Sequence, residues 1–111
     1  MKFSRGKYEP ERLLETCTVR SSDIDYLHHT NNISYIRYLV NQWPAEDLSK
    51  RPVRVIEVQY AGQTYEGDTL QIWECARKAE TPAAERFAIL KDGNSIVNCA
   101  VERRWRKPLN C

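Results

Sequence analysis

One segment of this chain repeats its apolar residues at the period of a helix, and a series of strand-like segments joined by short turns follows it. Ile33, Ile36, Val40 and Trp43 recur at helical spacing, with Tyr35 and Leu39 widening the apolar face. Asn31 or Asn32 is suited to cap that helix, because a short side-chain oxygen accepts a free first-turn amide. Trp43-Pro44 predicts its end, since a residue before proline is pushed out of helical geometry. From Val53 to Tyr60 the period falls to two, with one face more apolar than the other. Thr69 to Ala79, Arg86 to Lys91 and Ser95 to Trp105 read as further strands. Gly67-Asp68, a polar stretch with Pro82 and the hairpin signal Asp92-Gly93 separate them. Ahead of the helix, Leu13 to Arg20 reads as a strand and Ser21 to Asn32 as a loop. Residues 1–12, with Gly6 and Pro10, read as a lead-in or linker, and 108–111 as a tail.

One long helix among five antiparallel strands predicts an α+β domain, over 13–107, whose curved sheet wraps around the helix. Such a sheet leaves an edge and a face open, which favours a homodimer or pairing with a second unit. At 111 residues the chain has room for one core. Its 41% hydrophobic and 29% charged residues fit an ordinary globular protein. No apolar run approaches the roughly 20 residues of a membrane span. The basic start, Met1 to Lys7, has no apolar block behind it, so no secretory signal is expected and the location reads as cytoplasmic. A net charge of +2 is too mild to argue for nucleic acid.

The densest polar constellation runs from Asp23 to Asn32 and holds both histidines, two carboxylates and two amides directly before the helix. A helix start offers unpaired N–H groups and a positive dipole end, which suit an oxyanion or a polarised carbonyl. A histidine or carboxylate beside it suits general-base work on water. Asp and Asn before a helix are also ordinary capping and turn residues, and spacing alone leaves both accounts open. A metal held by Asp23, Asp25, His28 and His29 lacks any further ligand cluster, so no metal is expected. The four cysteines, at 17, 75, 99 and 111, form no close pair, which argues against zinc, a redox dithiol and a disulfide framework. Cys17, Cys75 and Cys99 fall in strands and read as small buried apolar residues, and Cys111 as exposed. The cations of Glu102-Arg103-Arg104-Trp105-Arg106-Lys107 read as a solvated strand end rather than a nucleic-acid grip.

Asp25-Tyr26-Leu27-His28-His29-Thr30-Asn31-Asn32-Ile33-Ser34-Tyr35 resembles the active-site segment of acyl-ACP thioesterases, which reads Asp-x-Asn-x-His-Val-Asn-Asn, an aliphatic, any residue and Tyr. Tyr60 to Leu70, with Gly67-Asp68 seven residues after the tyrosine, resembles the next strand pair of those enzymes. The resemblance covers most of 13–105. It implies a hotdog fold with 32–43 as the central helix, and hydrolysis of fatty-acyl thioesters of acyl carrier protein or coenzyme A without a cofactor. It implies further that this chain is the C-terminal of two hotdog units, or a single-unit relative that dimerises. On the matching positions, Asp25 and His29 are the implied catalytic pair, which activates water or positions the thioester. Asn31 and Asn32 are the implied helix-start amides that hold the carbonyl oxygen. Leu27 stands where the family has a catalytic Asn, and leucine neither donates nor accepts a hydrogen bond. Gln63-Thr64 stands where the family has Glu, or Glu-Cys in plant members. Gln63 is thereby implied as a water-orienting catalytic residue, though not a base, and Thr64 as a substrate contact. These departures keep a second expectation open: a weak or inactive hotdog unit that binds acyl chains or serves as a dimerisation half.

Overall fold

The computed structural model describes residues 5–105. Five strands, β1 (Pro10–Thr18), β2 (Val53–Tyr60), β3 (Thr69–Cys75), β4 (Ala84–Lys91) and β5 (Asn94–Arg103), form one antiparallel sheet in the order β1-β3-β4-β5-β2. The helix α1 (Asn32–Val40) packs on one face, and a short helix α2 (Ala45–Lys50) precedes β2. Among the described residues no helix is long and apolar enough to cross a membrane.

Tyr35, Tyr38 and Leu39 of α1 bury against Leu70, Ile72, Phe87, Ile89, Val97, Cys99 and Val101, which alternate along the three central strands. Deep burial of these side chains is the main source of stability, at about 1.5–3 kcal/mol for each large apolar group. The expected apolar stripe of the helix is therefore only partly its buried face. Ile33 is 69% exposed and Ile36 and Val40 are half-buried, while the tyrosines go inside. A buried tyrosine needs a partner for its hydroxyl, and both have one: Tyr38 donates to Asp23, and Tyr35 meets Thr64.

The helix is also shorter than expected. Asn31 caps it as anticipated, its side chain accepting from the Ile33 amide, but it ends at Val40 rather than at Trp43. Tight turns carry the chain on, through Gln42 N–H to Leu39 C=O and Trp43 N–H to Val40 C=O. Pro44 then begins α2, a helix the sequence reading did not anticipate. Proline suits a helix start, where its missing N–H is no loss, and Glu46 and Asp47 place acid on the first turn.

Arg103 fixes that second helix to the sheet. Its side chain, 4% exposed, pairs with Asp47 at 2.8 Å and Glu85 at 3.0 Å and lies over the Trp43 ring. So one cation of the expected solvated basic end is buried. Its neighbour Arg104 pairs with Glu102 at 3.6 Å, and Arg106 and Lys107 lie outside the described residues.

The opposite face of the sheet corrects the lead-in. Pro10–Arg12 already belong to β1, and the segment before it lies on β4: Arg86, almost fully buried, donates to the Arg5 and Lys7 carbonyls and sits 3.7 Å from the Tyr8 ring centre. Residues 1–4, the tail 108–111 and with it Cys111 lie outside the described residues.

Candidate active site

The loop between β1 and α1 is more ordered than its composition suggested. A 3-10 turn at Ser21–Asp23 leads into a small hairpin whose arms meet at Ile24 and Thr30. His28 N–H donates to Asp25 C=O, and Asp25 N–H donates to His29 C=O. His28 sits at φ 67, so Tyr26, Leu27 and His28 form a three-residue loop that closes on a left-handed residue. The Asp25 carboxylate accepts the Leu27 amide at 2.9 Å and braces the turn from inside.

Asp23 anchors this hairpin to α1. Its buried carboxylate accepts from Arg20 N–H at 3.0 Å, Ser34 Oγ at 3.1 Å, Arg37 Nη2 at 2.6 Å and Tyr38 Oη at 2.7 Å. Burial works to raise its pKa, but the bonds from Tyr38, Arg20, Ser34 and Arg37 outweigh burial and hold it below the ordinary carboxylate range. In return, burial and the bond to Asp23 push the Tyr38 phenol well up. With four donors on it, Asp23 serves the fold. Among the described residues no group of three or more His, Cys, Asp or Glu side chains is placed to hold a metal ion.

A second wall comes from the chain after β2. Ala61 N–H donates to Ile96 C=O, and Thr64 C=O accepts from Thr30 N–H at 2.9 Å, which brings Gly62 and Gln63 beside the hairpin. Gly62 packs closely there: a Cβ would come within 3.2 Å of Ile96 Cγ2. The Gly67-Asp68 turn follows. Gly67 sits at φ 91, Asp68 accepts the Tyr65 amide and pairs with Lys91 at 3.0 Å, and Val19 is bonded to both Gly67 and Asp68. That turn holds the Tyr65 ring edge-on to His29, with centres 6.0 Å apart.

Between these walls lies a cavity of about 310 Å³, lined by Asp25, Leu27, His29, Thr30, Asn31, Asn32, Tyr35, Gly62 and Gln63. Five of the residues singled out from the sequence, Asp25, His29, Asn31, Asn32 and Gln63, thus reach one cavity at the start of α1. Thr64 does not. It is fully buried behind the wall, bonded through Oγ1 to Thr30 and Tyr35, so its position corrects the expectation of a substrate contact. The Asn31 side chain is occupied as the cap, engaging Ile33 N–H, while its carbonyl takes Ser34 N–H; the Asn32 amide plays no part in that cap. Thr30, Tyr35 and Gly62 were not anticipated as cavity residues. Tyr35 had a sequence signal, since it stands at the tyrosine of the resembled motif, but it reads equally as helix core.

Among the described residues the cysteines supply no nucleophile here. Burial pushes the Cys17 and Cys75 thiols up to about 11 and that of Cys99 to about 12, so each stays protonated at neutral pH.

A curved antiparallel sheet around a central helix, with a polar cavity at the helix start, defines a hotdog domain of thioesterase type. The chain belongs to the acyl-ACP thioesterase C-terminal domain family, whose model matches residues 7–107. Among solved structures it is similar to an acyl-ACP thioesterase from Bacteroides thetaiotaomicron, with TM-score 0.78 and 26% identity over 94% of this chain and 42% of that one. It shares its fold with the 12:0-ACP thioesterase from Umbellularia californica, with TM-score 0.69 and 15% identity over 96% of this chain and 39% of that one. A hypothetical protein from Aquifex aeolicus, with TM-score 0.70 and 12% identity, shares the fold over 85% of this chain and 97% of its own. The chain spans about two fifths of the two thioesterases. No curated protein matches it.

Proposed function

We propose that this chain hydrolyses fatty-acyl thioesters of acyl carrier protein, as part of cytoplasmic fatty acid biosynthesis. The observation that carries this reading is the cavity that Asp25, His29, Gln63 and the first residues of α1 share. The thioester carbonyl sits at the helix start, where the Asn32 amide and the dipole meet the charge that develops on its oxygen. His29 takes a proton from water as the water oxygen attacks the carbonyl carbon, and returns it to the sulfur when the C–S bond breaks. Asp25 fixes the hairpin that presents His29, and Gln63 orients the water. Acyl carrier protein is the carrier named for the Bacteroides and Umbellularia structures.

Pairing belongs to the same proposal. β1 and β2 lie at the two ends of the strand order, and Ile33, Tyr60 and Leu27 leave apolar surface exposed around the cavity side of α1. A second copy, or a preceding hotdog unit, would cover them.

A second reading rests on one residue. Leu27 lines the cavity at the position where the family carries an Asn, so the site lacks a hydrogen-bonding group there. An acyl-binding unit without turnover would carry that change unharmed. The test is thiol release from acyl carrier protein and coenzyme A thioesters, beside mass spectrometry for bound lipid. Release is the expected result. Bound acyl chains without release, at high protein concentration and with a second hotdog unit supplied, select the binding reading. Under the hydrolase reading, Leu27→Asn restores the missing group and raises kcat about 10-fold or more, one hydrogen bond to a developing charge being of that order.

A further inference from the structure

Three hydroxyl groups form an unbroken chain along the cavity wall. Tyr35 Oη lies 2.8 Å from Thr64 Oγ1, Thr64 Oγ1 lies 2.7 Å from Thr30 Oγ1, and Thr30 Oγ1 lies 3.1 Å from the Thr64 carbonyl oxygen. All three residues are buried, but Tyr35 and Thr30 line the cavity while Thr64 lies behind them. Each hydroxyl has a single hydrogen, so the direction of the chain decides what it offers the cavity. A carbonyl oxygen only accepts, so Thr30 donates to it. Thr64 then donates to Thr30, and Tyr35 donates to Thr64. That direction makes three hydrogen bonds. The reverse direction makes two and turns the tyrosine hydrogen away from its partners, and buried polar groups settle on the arrangement that satisfies more of them.

We propose that Tyr35 positions the attacking water; the proposal rests on the hydrolase reading above and deepens it. With its hydrogen directed to Thr64, Tyr35 Oη has only lone pairs left to offer the cavity that Tyr35 lines. A lone pair cannot support a carbonyl oxygen that is gaining charge, but it accepts one hydrogen of a water molecule. The other hydrogen of that water goes to His29 as the water oxygen bonds to the carbonyl carbon. Donation toward Thr64 also makes Oη a stronger acceptor. Donors at the start of α1 hold the carbonyl, and acceptors on the opposite role, Tyr35 and His29, hold the nucleophile. The site thereby orders a water without the Asn that Leu27 replaces.

A joint neutron and X-ray structure of the deuterium-exchanged full chain reads the hydroxyl directions whether or not the protein turns over. The expected result is the Tyr35 deuterium aimed at Thr64, with an ordered water at about 2.6–3.2 Å from Oη. A deuterium aimed into the cavity overturns the proposal. Tyr35→Phe is expected to lower kcat about 10-fold with KM unchanged. It is also expected to lower the ratio of hydrolysis to hydroxylamine attack, since hydroxylamine does not depend on a held water. A fold defect slows both reactions together, so an unchanged ratio overturns the proposal. Should the unaltered chain release no thiol while the deuterium lies on the Thr64 side, the hydrolase reading falls and the acceptor assignment of Oη stands.

Discussion

His29→Ala is expected to lower kcat for thioester hydrolysis by about 10²–10⁴, the span attributed to a positioned acid–base group. The fold is expected to tolerate it. The hairpin that carries His29 closes through main-chain bonds between residues 25, 28 and 29 and through the Asp25 bond to Leu27 N–H, and none of these uses the imidazole. What the ring does touch is Tyr65, edge-on at 6.0 Å. An aromatic pair of that kind contributes about 0.5–1.5 kcal/mol when packed, and less where half-exposed. The melting temperature therefore moves by a few degrees while turnover nearly vanishes. Thiol release and thermal melts on the same preparation separate the two effects. His28 supplies the comparison. It is exposed, does not line the cavity and holds a left-handed turn position at φ 67, so His28→Gly keeps the backbone and is expected to leave turnover within about twofold. A His29→Ala rate within threefold of the unaltered chain removes imidazole from the chemistry and leaves Asp25 as the base.

That contrast between neighbours shows what local sequence encodes here. The turn chemistry was legible wherever one residue type answers one backbone need. Asp92 and Gly93 sit at φ 52 and φ 79, the pair of positive angles that an Asp-Gly hairpin supplies. Asn31 caps α1, and β2 spans the residues that alternation marked out. The face of α1 was not legible. Ile33, Ile36 and Val40 and the set Tyr35, Tyr38 and Leu39 both fit a helical period, and the choice depends on which hydroxyls find partners inside. Those partners, Thr64 and Asp23, stand 29 and 15 residues away in the chain. α2 was hidden for the same reason. Trp43-Pro44 reads as a stop, and what keeps the following six residues helical against the sheet is Arg103, far along the chain. The cavity residues, by contrast, were mostly legible, because Asp25, His29, Asn31 and Asn32 lie within one short stretch that folds on itself.

Asp23→Ala is the substitution expected to cost the most stability, about 3 kcal/mol, because it leaves buried donors facing no acceptor. Buried Tyr38 Oη and Ser34 Oγ lose their acceptor together, while Arg37, half open to water, and the amide of exposed Arg20 recover solvation more readily. For a chain of 111 residues that corresponds to a fall in Tm of about 13 °C. Activity falls too, since Asp23 ties the hairpin that carries Asp25 and His29 to the helix that carries Asn32. The pH dependence separates a charged anchor from a merely space-filling one. The folded Asp23 pKa lies below its unfolded value, so its charge-dependent stabilisation is complete above the unfolded carboxylate range, near pH 4. It is lost as pH falls through the lower folded value. Denaturant unfolding should therefore show a gap between the unaltered chain and Asp23→Ala that is widest at neutral pH. Below about pH 4 the gap narrows, as protonation weakens in the folded protein the anchor the variant already lacks. A gap that stays constant from pH 7 to pH 3 means that Asp23 acts through its neutral shape alone, and the hairpin is then held to α1 by something other than a buried charge.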